Sequence, residues 1–531
     1  MILPSFYSST RLAAAFTIAI AISAAATAQA VTFKFANQGD ALSLDPHSLN
    51  ESFQLSFLSN VYEPLINRDK NMKITPGLAT NWQQTSATVW RFALRKGVKF
   101  HDGSPFSADD VIFSLKRAQG EGSDVKSAIS QITEIKRIDD FTIDVITKEP
   151  FPILPEVITT WLIMPKKWSE ENRATQPVDK RKGIENTASF KANGTGPFRV
   201  KSRDPSTKTT MARNLLYWDK IEGNVDEVVF TPIGNPSTRV AALLSGEIDM
   251  MEPVPVQDIA RLNSNSNTTV MQGPEVRTIF LGMDQKRDEL LGSNIKGKNP
   301  FKDKRVRQAF YQALDLEAIK SSVMRGAAAP TAIMVAPGIN GAPVELNKRL
   351  PFDIEASKKL MAEAGYASGF EVKMNCPNDR YVNDGAICQA VAAMLAKIGV
   401  KINLEAESKA TYFPKILRRD TAFYLLGWTP STMDSHDVLN ALIATPTDTG
   451  VGQFNLGSYS NARVDTLTRE LAKEIDPTKR NAMIREAMKI HQDDIGHLPL
   501  HQQALAWGIK RNVSLVQSPI NYMQIKWVVI K

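Results

Sequence analysis

The stretch VWRFALRKGVKFHDGSPFSADDVIFSL, Val89 to Leu115, holds a strand, a turn and a helix start in succession. Trp90, Phe92 and Leu94 alternate with Arg91 and Arg95, the period-two pattern of a strand with one buried face. Gly97 and Asp102-Gly103 break the chain after that strand. Ser107 stands as an N-cap, with Asp110 three residues on as its acidic capping partner. Val111, Ile112 and Leu115 then supply the apolar stripe of a helix.

The same alternation extends in both directions. Val31, Phe33 and Phe35 form a strand pattern that ends before Asp45-Pro46, and Asp139-Asp140 marks a hairpin turn before Phe141, Ile143 and Val145. Helical spacing appears at Val306, Ala309, Phe310, Ala313 and Leu314, and at Ala356, Leu360, Met361 and Ala364 with Gly365 as a stop. It returns at Ile387, Val391, Met394, Leu395 and Ile398, with Asp384 expected as the cap and Gly399 as the end. Asp476-Pro477 supplies a cap and a first-turn proline for Met483, Ile484, Ala487 and Met488. Strand patterns at Lys401–Glu405 and Ala422–Leu426 lie between these helices. The fold class this predicts is α/β.

The N-terminus reads as a cleaved export signal, residues 1–30. Arg11 gives a positive charge, Leu12 to Ala26 a small apolar run, and Ala28-Gln29-Ala30 the small-x-small cleavage pattern before Val31. No cysteine stands at the cut, so a lipid anchor there is not expected. The 43% hydrophobic and 23% charged content is that of a globular protein with a sizeable core. A net charge of +8 over 531 residues is mild, and the short basic clusters Lys180-Arg181-Lys182 and Arg418-Arg419 adjoin Asp179 and Asp420. They form no basic stripe, which argues against nucleic acid as a partner. Export places Cys376 and Cys388 where disulfides persist; a bridge is expected, the alternative being two buried thiols.

Catalytic signatures are missing. The chain has no GxSxG elbow and no HExxH. Of six histidines only His491, His497 and His501 cluster, around Leu498-Pro499-Leu500, a spacing that suits a loop or edge strand better than a metal-binding helix. Gly292-Ser293-Asn294-Ile295-Lys296-Gly297-Lys298 approaches a phosphate-binding loop, but Asn299 replaces the required Ser or Thr and Pro300 comes next. It reads as a surface loop. No cofactor, no metal and no enzymatic activity are expected.

Val89 to Leu115 resembles the periplasmic substrate-binding proteins of ABC importers, and more narrowly the large dipeptide- and oligopeptide-binding group, solute-binding protein family 5. YEPLI (Tyr62–Ile66), PGLATNW (Pro76–Trp82), GTGPFRV (Gly194–Val200), LLSGEIDM (Leu243–Met250), VRQAFYQALD (Val306–Asp315), AEAGY (Ala362–Tyr366) and Gly427-Trp428 stand in that family's order. The resemblance implies a two-lobed type II binding protein with an extra subdomain and a ligand cleft between the lobes. Its parts would be lobe I (31–61, 182–276 and 492–531), the subdomain (62–181) and lobe III (277–491). A monomer, periplasmic and working with ABC permease subunits in the membrane, is expected.

The resemblance also nominates ligand contacts. Arg380 stands where relatives bind a peptide carboxylate, and its planar fork suits that task. Tyr381 is next to it, and a Cys376–Cys388 bridge would brace the loop. Where peptide-binding relatives carry an aspartate for the ligand's amino group, this chain has Ser431; Thr432 and Asp434 are the polar groups beside it. Trp428 either stacks on the ligand or belongs to the core, and Arg277 is a further contact candidate. The expected cargo is peptide-like or another carboxylate-bearing solute. Glutathione, an opine, a metal chelate or haem is the alternative, and a periplasmic hydrolase the second alternative.

Overall fold

The computed structural model describes residues 1–2, 30–430 and 432–531. The expected signal segment and Ser431 therefore lie wholly or mostly outside the described residues. From Val31 to Lys531 the chain is one compact unit. Among the described residues no helix is long and apolar enough to cross a membrane.

An eleven-stranded sheet runs through both lobes. In one half, the strand Thr32–Asn37 lies parallel between Glu227–Pro232 and Met250–Glu252. In the other half, Phe370–Pro377 lies parallel to Val400–Glu407 and pairs Phe423–Trp428 through Asn375 and Tyr424. The halves are joined by the two longest strands, Thr268–Met283 and Leu498–Lys510, which pair antiparallel. Their register slips between Pro274 and Thr278, where four steps on one strand face two on the other, Ala504 to Gln502. Side chains alternate across a regular ladder, so this slip locally re-aims Glu275 and Arg277.

The decisive N-terminal motif folds as expected. Val89–Leu94 is a strand of a separate four-stranded sheet, and Ser107 and Asp110 form a capping box on the helix Ala108–Gln119. This sheet has its own core, built from residues such as Phe92, Phe100, Leu115, Ile143 and Trp161. A second core gathers Phe33, Phe35, Phe53, Phe230 and Trp507; a third, beneath the far half of the large sheet, gathers Phe301, Phe310, Phe370 and Phe423.

Close backbone approach explains one of the glycine motifs. A Cβ on Gly194 would sit 2.0 Å from the carbonyl oxygen of Val61, so GTGPF lies directly on the chain entering YEPLI. The same junction buries Glu63, which accepts bonds from Thr195 Oγ1 (2.8 Å), Tyr217 OH (2.9 Å) and Trp218 Nε1 (2.8 Å). The basic run 180–182 pairs with Glu185, Asp124 and Glu121 in turn. The Gly292–Lys298 stretch is a loop, tied down where Glu289 accepts the amide of Gly297.

A buried ion pair fastens the second core to the small sheet. Arg117 and Asp45 have fully buried side chains and meet twice, at 2.7 and 2.6 Å, while Arg117 also reaches the carbonyls of Ala174 and Gln176. Removing one partner strands the other charge in a dry interior. Asp45→Ala is expected to cost about 3–5 kcal/mol of stability, read as a shifted midpoint in chemical denaturation, whereas exposed Lys201→Ala changes it by less than about 1 kcal/mol.

Candidate functional site

A chamber lies between the lobes, walled by three stretches: residues 49–55, 125–160 and 380–456. Most of its wall is apolar, with Leu49, Leu55, Phe151, Phe413, Trp428 and Phe454 prominent. Among the described residues, its acidic and basic lining comes down to Glu51, Arg380 and Asp437, with His436 beside them kept neutral by burial.

Glu51 is the N-cap of the helix Ser52–Leu58, accepting the amides of Phe53 and Gln54 at 3.0 Å each. From across the cleft come Arg380, with Nε 2.6 Å from one carboxylate oxygen, and Lys409, with Nζ 3.4 Å from the other. All three are 8% exposed or less. Burial alone would raise the Glu51 carboxyl; Arg380, Lys409 and the two amides outweigh it and hold it at about 2. The ion pair is therefore intact at any physiological pH.

The Arg380 loop is over-determined. Asp384 accepts the amides of Arg380 and Tyr381 at 2.9 Å, and Cys376 and Cys388 are joined by a disulfide that brackets the loop. Asp384 thus bonds backward into the loop, and Asn383, with φ 55°, holds the N-cap position of the helix Asp384–Ala396 expected for Asp384. Burial pushes the Asp384 carboxyl up to about 7. Tyr381 packs its ring beneath Gly427, where a Cβ would come within 2.7 Å of it, and its hydroxyl donates to the Gly427 carbonyl at 3.3 Å. That contact gives the Gly-Trp motif its glycine.

The nominated residues separate into two groups. Arg380, Tyr381, Trp428 and Thr432 line the chamber together. Arg277 does not: it is 1% exposed, donates to Glu275 at 2.7 Å and stands 5.7 Å behind the Tyr381 ring. Asp434 does not line it either. Both its oxygens bind Arg480 at 2.7 Å, and it caps the helix Ser435–Val438. Burial would raise its carboxyl, but Arg480 outweighs this and lowers it.

Two chamber residues are not legible in the sequence. Glu51 carries no signal beyond an acid ahead of an apolar run. Asp437 lies one helical turn beyond Asp434 in MDSHDV, and only the helix register decides which aspartate faces inward. Asp437 accepts Trp428 Nε1 at 2.7 Å and the Thr432 hydroxyl at 3.3 Å. Burial pushes its carboxyl up to about 6 despite those donors. The Trp428 ring lies 4.8 Å from that of Phe454, and Phe151 meets the His436 ring at 5.8 Å. Elsewhere, His491 and His497 share a 2.9 Å bond in the interior, and His501 lies on a strand; burial keeps all three neutral.

Known proteins share this architecture. Residues 73–449 match the model of the bacterial extracellular solute-binding proteins, family 5, middle region. The chain belongs to that family. It is 25% identical over 486 residues to the glutathione-binding protein GsiB of Salmonella typhimurium, covering 89% of each. Its fold superposes with a TM-score of 0.84 on the periplasmic binding protein DppA of Helicobacter pylori in complex with the peptide STSA, at 23% identity, covering 94% of this chain and 98% of that one. The agropinic acid complex of AgaA from A. tumefaciens R10 gives 0.84 at 22% identity, covering 94% and 99%.

Glu51→Ala leaves two buried cations facing each other across the cleft. It is expected to cost about 3–5 kcal/mol in denaturation and, in solution scattering, to enlarge the unliganded protein toward an open form. Asp437 predicts a second observable: a tryptophan fluorescence transition with a midpoint near pH 6, present in the wild type and missing in Asp437→Asn.

Proposed function

We propose that this chain is the extracytoplasmic receptor of an ABC importer, which encloses a compact organic solute and passes it unaltered to a membrane permease. The observation that carries this reading is the inter-lobe chamber with Glu51 on one wall and Arg380 on the other. A cavity of this kind, apolar with a few convergent polar groups, is built to hold a small molecule. The cargo is peptide-like: its apolar side chains fill the Phe151–Phe413–Phe454 walls and its carboxylate meets Arg380. Relatives described as binding glutathione, a peptide and agropinic acid support a solute of this size, and a non-peptide cargo of the same charge pattern is the second reading.

The lobe scheme belongs to the same proposal: lobe I from 31–61, 182–276 and 492–531, a subdomain from 62–181, and lobe III from 277–491. The separate cores support it, and chamber walls come from all three parts. The register slip suggests that the returning strand crosses between lobes near Gln502–Ala504, somewhat after residue 491. Residues 1–30 act as the signal that delivers a monomeric receptor to the periplasm.

The deciding experiment is mass spectrometry of the cargo carried through native purification. A peptide or similar small solute of unaltered mass is the expected result; steady turnover of that solute by the pure protein would instead make the chain a hydrolase. For a carboxylate cargo so identified, Arg380→Ala is expected to lose about 1.5–3 kcal/mol of binding in calorimetry, the range for a charged hydrogen bond.

A further inference from the structure

Behind the Glu51–Arg380 pair lies a second cavity, and Arg380 lines both. Asn37 and Glu252 wall it on one side, Asp379, Arg380 and Lys409 on the other, and Gln503 of the long returning strand completes it. Asn37 and Glu252 end two strands that pair in register, which sets their side chains together. Glu252 is 4% exposed. One of its carboxylate oxygens accepts Asn37 Nδ2 at 3.2 Å; the other is buried without a partner. The cations around it are already engaged. Arg380 and Lys409 pair with Glu51. Arg239, on the helix Pro236–Ser245, donates to the carbonyls of Ile233 at 2.6 Å and Pro253 at 3.1 Å. Glu275, held by Arg277 at 2.7 Å and Gln503 at 2.8 Å, sets like charge against Glu252, as Glu51 does. Asp379 is a further acid on the wall, accepting the Lys409 amide at 2.6 Å. Burial, reinforced by Glu275 and Glu51, outweighs Asn37 and Arg380 and pushes the Glu252 carboxyl up to about 7. A carboxyl in so dry a place takes up a proton rather than bear an unmatched charge.

We infer that Glu252 is a proton-sensitive latch behind the cleft: it is protonated in the closed form and ionised in the open one, so the receptor shuts more firmly in acid. This rests on the receptor reading, whose lobes part, and adds a control on their movement. When the wall of Asp379, Arg380 and Lys409 withdraws, water reaches the carboxyl and its proton passes to solvent; closing takes the proton back. A carboxyl raised on closure favours the closed form in full below its ordinary 4.5 and progressively less up to about 7, beyond which nothing further is lost. Within that window the closed-to-open ratio falls by up to about tenfold per pH unit.

The test is solution scattering of the full mature chain, freed of cargo, from about pH 5 to about pH 8, beside Glu252→Gln. The wild-type radius of gyration is expected to rise with pH, most of the rise coming before about pH 7. Glu252→Gln, neutral throughout, is expected to stay near the wild type's acid value. Asp384 and Asp437 titrate in the same range, and both remain in the variant, so the difference between the two curves isolates Glu252. The same rise in the variant overturns the inference. A wild-type radius that does not change with pH overturns it too, whether or not the variant folds. Failure of the receptor reading looks different: no small molecule is carried through native purification, whatever the scattering shows.

Discussion

The structure turns on one carboxylate. Glu51 is seated on a helix N-terminus and engages a guanidinium and an ammonium from a distant part of the chain. A helix start is a natural seat for a negative charge, since two free amides point at it. Both cations approach in a water-poor gap, where an ion pair is strong once formed and severe to leave half-made. Closure is thereby written into the protein's own charges, and a cargo need only complete an arrangement that already exists.

The same logic recurs at the other joints. Asp45 with Arg117 fastens the core around Phe33 and Phe53 to the small sheet, and Glu63 gathers Thr195, Tyr217 and Trp218 where the chain passes into that sheet. Each junction is a buried polar knot, while the cores between junctions are aromatic and aliphatic. Apolar contact is non-directional and supplies cohesion; the charged knots need defined geometry and therefore fix how the parts are set against each other.

The fold was largely legible in the sequence because its elements are locally signalled. The Ser107–Asp110 capping box, the 132–147 hairpin and the Asp476-Pro477 helix start arise from patterns a few residues long. The site was legible only in part. Arg380, Tyr381, Trp428 and Thr432 came from a family resemblance, and all four line the chamber. Arg277 and Asp434 stand beside the right elements, yet Glu275 and Arg480 hold them in the interior. Their partners are two and forty-six residues away, and nothing local marks the second pairing. Glu51 was invisible for the same reason: its meaning lies in Arg380 and Lys409, more than three hundred residues downstream.

The two long strands that pass through both halves of the large sheet set the mechanics of release. A ribbon continuous in covalent and hydrogen bonds resists sliding and stretching, and its ladder is interrupted at the irregular step near Glu275 and Gln503. A hinge at that step would part the lobes as a book opens, spine intact, and cargo would then leave by the edge away from the spine. A membrane partner taking cargo from that free edge would seat itself across it, touching both covers at once.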